Sequence, residues 1–215
     1  DRMPKPLVPV SGVPIIATIL DALKEAGISS ITIVRGYCGA AFDMLHAEYP
    51  HLSYIDNPDW MAANNISSIA LAGRAGLLED SYVIEGDLYL ANPAIITPMQ
   101  TRTNYIAFPV ESTDDWCFDT DAAGKITHID TASDHPCHQM LGLSYWTAED
   151  GARLAACANE LYRDERYRQL YWDEIMLKYF PHECDVYIRE CTRADVWEID
   201  TVEELRALEE RMRGK

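Results

Sequence analysis

Asp87 closes the run that starts "YVIEGDLYL" (82–90), and Glu198 and Asp200 alternate in "VWEIDT" (196–201). Tyr82, Val83 and Ile84 form a short apolar run of strand-forming residues, and Glu85, Gly86 and Asp87 fall where it ends. In an open α/β sheet the carboxyl end of a strand faces the ligand crevice, so a carboxylate there is set for ligand or cation chemistry. Glu198 and Asp200 share one side of a strand by its two-residue period, and like charges so placed favour a cation between them. Together Asp87 and Asp200 make an oxygen-rich site suited to Mg²⁺, which takes few protein carboxylates and fills its shell with phosphate and water. Each acid also has a plainer use, as a turn or helix cap. Lys5 stands between Pro4 and Pro6 on stiff, extended chain. It is either a solvated loop lysine or a fixed cation that offsets charge on a phosphate chain.

The aromatic residues form a second set. Trp116, Trp146, Trp172 and Trp197 are four of the five tryptophans and all lie in the second half, with Asp115, Asp173 and Glu198 beside them. Singly, each reads as core. Interleaved with acids, they suggest a pocket for an organic cation, because quaternary ammonium groups are held by aromatic faces. The block Asp134-His135-Pro136-Cys137-His138 has metal-binding residue types but lies between two strand-like segments, and a plain loop is expected there. The six cysteines include no C-x-x-C pair, so neither a metal cage nor a disulfide framework is indicated. They read as mostly reduced thiols of a cytoplasmic protein.

The elements that must position these residues follow from periodicity. Residues 12–26 place Ile15, Ile19 and Leu23 on one face of a helix stopped by Gly27. Strands are expected at 31–34 and 52–55, a turn leading into a helix at 36–46, and a helix at 64–78. After Pro93 come closely spaced strands at 104–110, 116–121, 125–130 and 140–146, with a hairpin turn at Ala122-Ala123-Gly124. Helices over 148–162 and 167–179, a strand over 185–190 and a final helix over 201–213 complete the chain. The fold class is α/β: a Rossmann-like domain with a mixed, mostly parallel central sheet and an antiparallel, substrate-facing second half. One domain spans 1–215.

Composition excludes several classes. A net charge of −17, from 18 basic and 35 acidic residues, repels nucleic-acid phosphates. No apolar run approaches the roughly 20 residues of a membrane helix.

The segments "PKPLVPVSGVPII", "GISSITIVRGY", "NNISSIALA", "YVIEGDLYL", "STDDWCFDTD", "LGLSYWTAED", "YWDEI" and "VWEIDTVEEL" occur in an order that resembles the bacterial CTP:phosphocholine cytidylyltransferases. These belong to the sugar-phosphate nucleotidylyltransferase superfamily. The resemblance implies a Mg²⁺-dependent nucleotidyltransferase that moves CMP from CTP to phosphocholine, giving CDP-choline and pyrophosphate. By the same resemblance Lys5 contacts the nucleotide phosphates, and Asn64, Asn65 and Ser67 lie near the nucleotide. Asp87 and Asp200 hold the metal, and Trp116, Trp146, Trp172, Asp173, Trp197 and Glu198 surround the acceptor. Implied partners are CTP and a small cationic phosphate or phosphonate; a fusion or a homodimer is compatible. The family pattern carries an apolar strand and a Gly-rich loop ahead of "PKP", whereas this sequence opens Asp1-Arg2-Met3, so an upstream segment is expected to complete the sheet and the phosphate cradle. Three alternatives stand beside this reading: 2-aminoethylphosphonate as acceptor, a sugar-1-phosphate as acceptor, and a non-catalytic nucleotide-binding module.

Overall fold

The structure, a computed structural model, describes residues 3–98, 100–199 and 201–213. After a 3₁₀ turn at Lys5–Leu7, strands β1 (Pro9–Val10) and β2 (Val13–Pro14) form a small hairpin that feeds helix α1 (Ile15–Glu25). Helix α1 buries Ile15, Ile16, Ile19, Leu20 and Leu23, and ends where Gly27 takes φ +76°. Strands β3 (Thr32–Arg35) and β4 (Ser53–Asp56) pair in parallel. A 3₁₀ segment, Gly39–Ala47, links them; it begins after Cys38, whose φ of 48° is left-handed. Helix α2 (Ile66–Arg74) is shorter than its periodicity predicts, because Gly76 turns the chain at φ +70°.

Next come β5 (Ser81–Ile84), β6 (Leu88–Leu90), β7 (Asn104–Val110), β8 (Cys117–Thr120), β9 (Ile126–Asp130) and β10 (Cys137–Trp146). Helix α3 (Ala148–Tyr162) precedes β11 (Tyr187–Glu190), β12 (Val196–Glu198) and α4 (Val202–Arg213). The Ala122-Ala123-Gly124 turn forms as expected, with Gly124 at φ +77°. The sheet is mixed. It is not mostly parallel as expected: among the described strands, parallel pairing is confined to β3–β4 and β7–β11, and the remaining ladders are antiparallel because the closely spaced strands after Pro93 pair by short turns.

Strand β10 organises the centre. One edge pairs with β7; the other pairs first with β8, through His138 and Gln139, and then with β5, through Leu143 to Trp146. Helices cover both faces: α1 shares an apolar cluster with Leu88, Ile106, Phe108 and Leu143, whereas α2 and α3 share another with Tyr105, Phe118 and Trp146. The two helices of that second face approach closely at Gly73, where a Cβ would lie 3.0 Å from the Ala155 Cα. Between β3 and β5 lies an apolar slot of about 780 Å³, lined by Ile31, Ile33, Val83, Ile84, Ile16 and Ile69. Each of those two strands has a ladder on one edge only among the described residues.

The helix expected over 167–179 does not form. A 3₁₀ turn at Glu165–Tyr167 and a π turn at Ile175–Tyr179 flank a compact bend. Trp172, Asp173, Glu174, Ile175 and Met176 are all buried, five consecutive residues that no one-faced helix can turn inward together. The Trp172 backbone N–H leaves the helical ladder and donates to Asn65 Oδ1 at 2.8 Å. At 134–138 the expected loop covers only Asp134–Pro136, because Cys137 and His138 already belong to β10, where His138 pairs with Phe118; His135 bonds Asp119 and His138 bonds Glu190. The six cysteines are free thiols. No helix among the described residues is long and apolar enough to cross a membrane.

Candidate active site

Lys5 and Asp87 meet. The ammonium Nζ lies 2.8 Å from Asp87 Oδ2, across 82 residues of sequence. The two flanking prolines and Leu7, which is buried against Ile16 and Leu20, fix the lysine's backbone. Gly86 supplies the clearance: a Cβ there would stand 3.2 Å from Pro6 Cγ, so the strand end and the "PKP" turn pack directly. Strand β6 then runs from Leu88, which pairs with Glu198 of β12 one residue beyond Asp87. Asp200, expected as the second metal carboxylate, lies outside the described residues.

A second group gathers where the edge of β10 changes partners. Here β8 begins and β5 ends, and between them Met140 N donates to the Trp116 carbonyl and Glu85 N donates to the Gly142 carbonyl. Trp116 and Glu85 are therefore neighbours along one strand edge. Gly142 leaves room for the Glu85 side chain, whose carboxylate would overlap any Cβ placed there. Asp115, beside Trp116, is pinned by the Trp116 backbone N–H at 2.7 Å and by Gln139 Nε2 at 3.1 Å. Over Trp116 sits Tyr171, edge-on at 5.3 Å between ring centroids and half-exposed. Sequence reasoning missed Tyr171: it precedes Trp172 in "YWDEI", and only the bend at 171–174 turns it outward.

One edge of the sheet carries all of this. Asn57, just after β4, donates to Ser67 Oγ in the first turn of α2 at 2.8 Å. Trp172 bonds Asn65 at that same helix start and stacks on Tyr105, with centroids 5.7 Å apart. Burial raises the Tyr105 phenol well above its usual range, with Asp173 and then Glu85 adding negative charge. Glu85 and Gly86 at the carboxyl end of β5 and Asn65 and Ser68 at the start of α2 line the same slot, in line with the α/β rule.

Several expected contacts are redirected. Ser67 is buried, its hydroxyl donating to the Asn64 carbonyl while it accepts from Asn57, so it braces the loop instead of reaching a ligand. Asn64 and Asn65 sit at the crevice, with Asn64 Nδ2 donating to the Gln169 carbonyl. The four tryptophans do not form one box. Trp146 and Trp172 pack on Tyr105 inside the core, each at most 3% exposed. Trp197 belongs to a separate cluster with Ile15 and Leu208, under the Arg211 guanidinium. Asp173 is also interior: it accepts from the Tyr105 hydroxyl at 3.0 Å, and burial pushes its carboxyl up to about 7 against the pull of that bond. Only Trp116 of the four packs beside an open aromatic partner, Tyr171.

A mixed sheet with an ion-paired lysine and aspartate at the carboxyl edge is the frame of an enzyme that handles nucleoside triphosphates, and the chain belongs to the MobA-like NTP transferase domain family, whose pattern matches residues 1–171. It is 34% identical over 209 residues to the 2-aminoethylphosphonate cytidylyltransferase of Lancefieldella rimae, covering 96% of this chain and 83% of that protein. It is 30% identical over 216 residues to the choline-phosphate cytidylyltransferase of Streptococcus pneumoniae, covering 100% of this chain and 92% of that one. The solved structure of a CTP:phosphocholine cytidylyltransferase from Streptococcus pneumoniae superposes with a TM-score of 0.89 at 30% identity, covering 98% of this chain and 90% of that one. The family resemblance and the mixed α/β class expected from sequence are both borne out.

Proposed function

We propose that this chain transfers CMP from CTP to 2-aminoethylphosphonate, releasing pyrophosphate. A phosphonate oxygen of the acceptor attacks the α-phosphorus in line, the bond to the β-phosphate oxygen breaks, and no covalent enzyme intermediate is needed. Lys5 would offset charge on the phosphates; its ion pair with Asp87 at the end of β5 supports that role. The donor set suits magnesium: Asp87 is an oxygen ligand at a strand end, Asp200 is its expected partner from sequence, and triphosphate oxygens and water complete such a shell. Asp87, with Asp200 as expected from sequence, would hold the ion, which when bound would supply Lewis-acid stabilisation of the charge on the leaving pyrophosphate. The chain's own residues do the rest. They hold the acceptor in the crevice at 140–142 of β10 and aim its phosphonate at the nucleotide.

The observation that carries the choice of acceptor is the burial of Trp146 and Trp172 and the removal of Trp197 to another cluster. A trimethylammonium group favours an aromatic box, whereas a primary ammonium favours directional carboxylate contacts. The crevice has two aromatic rings, Trp116 and Tyr171, with the carboxylates of Glu85 and Asp115 along the same strand edge. The similarity to the Lancefieldella rimae enzyme supports the same acceptor. Phosphocholine is the second reading, favoured by the Trp116–Tyr171 pair itself and by similarity to the Streptococcus pneumoniae enzyme.

Pyrophosphate release with CTP, Mg²⁺ and each of 2-aminoethylphosphonate, phosphocholine, phosphoethanolamine and glucose-1-phosphate decides between them. We expect kcat/KM for 2-aminoethylphosphonate to exceed that for phosphocholine by about tenfold or more, a difference of roughly 1.4 kcal/mol. The reverse order establishes the second reading. Turnover with the sugar phosphate alone would reject both, and no turnover with any acceptor would leave a nucleotide-binding module.

A further inference from the structure

Gln169 had no place in the site read from sequence, yet it lies at the junction of two irregular segments. Residues 62–65 close the loop that leads from β4 into α2, and residues 168–172 belong to the bend that carries Tyr171. Neither segment is helix or strand, so its main-chain groups must find partners elsewhere.

They find them in each other. Asn64 N donates to the Arg168 carbonyl at 2.8 Å, and Asn64 Nδ2 donates to the Gln169 carbonyl at 3.3 Å. In the other direction Gln169 Nε2 donates to the Ala62 carbonyl at 2.9 Å, and Trp172 N donates to Asn65 Oδ1 at 2.8 Å. Each segment is also fastened on its far side. Asn57 Oδ1 accepts from Asp59 N at 2.9 Å, and the Asp59 carboxylate accepts from the Tyr162 hydroxyl. Tyr171 N donates to Glu174 Oε2 at 3.2 Å, and Trp172 stacks on Tyr105. Tyr171 is thus held by its own N–H and by that of its neighbour, with its ring half-exposed beside Trp116. Gln169 is exposed, so its bond to Ala62 can be deleted without opening the core.

We infer that Gln169 is a positioning residue that couples the two substrate subsites, so that a nucleotide held at Asn64 and Asn65 sets Tyr171 for the acceptor. This rests on the nucleotidyl-transfer reading above and adds how the two halves of that site communicate. The four bonds join the segments, so ordering one orders the other. The first ligand then bears the ordering entropy that the second would otherwise bear. Such coupling is reciprocal: the acceptor raises nucleotide affinity by the same factor as the nucleotide raises acceptor affinity. The acceptor is gripped tightly only when the nucleotide it must attack is seated.

The test compares the wild-type chain with Gln169→Ala and Gln169→Glu, neither of which can donate to Ala62, each checked for an unchanged circular dichroism spectrum. Calorimetric titration measures affinity for 2-aminoethylphosphonate and for phosphocholine, with and without saturating α,β-methylene-CTP, whose α–β bridge does not break. Expected in wild type is an acceptor affinity raised about 5-fold or more by the analogue. Both variants should cut that factor by about 2-fold or more, the effect of one hydrogen bond, while binding acceptor alone and analogue alone as wild type does. Hydrogen exchange gives a reading free of the acceptor: the analogue alone should protect the amides of 168–172 in wild type and protect them less in the variants. Losses of acceptor affinity that are equal with and without the analogue, or a coupling factor unaltered in both variants, would overturn the assignment. So would an analogue that binds wild type without protecting 168–172. If wild type binds neither acceptor, the acceptor reading fails by itself, and the exchange measurement alone decides the coupling. A wild-type chain that binds no analogue ends the nucleotide reading and the coupling together.

Discussion

At the scale of single residues, the Lys5–Asp87 pair separates catalysis from stability. A partly exposed ion pair contributes about 0–1 kcal/mol, because solvent screens it and two side chains must be ordered. In the proposed reaction its value would lie in holding a cation and an oxygen ligand at the strand end for the triphosphate. Asp87→Asn and Lys5→Ala are therefore expected to lower kcat about 100-fold or more while shifting Tm by only a few degrees. Steady-state kinetics at saturating Mg²⁺, with melting curves on the same preparations, give both numbers. Near-normal turnover in Asp87→Asn would remove that residue from the metal site.

At the scale of elements, the crevice depends on how closely helices and strands approach. Gly151 lies in the first turn of α3, where an added Cβ would overlap the Leu78 carbonyl and stand 3.0 Å from Glu79 Cα. Helix propensity alone favours alanine over glycine by about 1 kcal/mol. Packing against main chain opposes it more strongly, since backbone cannot swing aside and overpacking costs about 1–3 kcal/mol. Gly151→Ala is expected to lower Tm by roughly 3–10 °C, and an unchanged or raised Tm would show that α3 shifts freely. The bend at 171–174 illustrates the same dependence. Between the 3₁₀ turn at Glu165–Tyr167 and the π turn at Ile175–Tyr179 the chain leaves helix geometry, which lets Tyr171 stay exposed while the five consecutive residues 172–176 are all buried.

Across the whole molecule, electrostatics set how stability follows pH. A net charge of −17 brings self-repulsion that grows as carboxylates ionise. Asp173 adds a specific contribution. Burial raises its folded-state carboxyl to about 7, the Glu174 charge adds to the rise, and the Tyr105 hydroxyl and the Asp173 backbone N–H act against it. Between about 4 and 7 the folded state holds the proton more tightly than the unfolded state, so this group makes stability fall as pH rises through that window. Glu85 faces the same Tyr105 phenol from β5, so ionising Asp173 adds a second negative charge beside it. Asp173→Asn keeps an acceptor for Tyr105 and removes the titration. Its Tm is expected to decline less than wild type between pH 5 and pH 8, and parallel declines would show that Asp173 stays ionised throughout. The apolar slot is also a whole-molecule feature, because β3 and β5 come from separate segments and only their assembly creates it.

The helices at 15–25 and 148–162, the strand at 104–110 and the turn at 122–124 were legible in the amino-acid sequence, because local periodicity and glycine conformations decide them. The place of Asp87 just beyond the end of β5 was legible too, because the apolar run Tyr82–Ile84 sets where that strand stops. The pairing of Lys5 with Asp87, across 82 residues, needed tertiary contact to become visible. The same holds for the fate of the tryptophans. Sequence shows how many there are and which acids adjoin them, but burial depends on which faces the sheet and helices present to one another. Trp146 and Trp172 were drawn into the core by packing on Tyr105, while Tyr171 was held out by the bend. Local chemistry chose the elements, and competition for a shared interior decided which side chains remained to meet a ligand.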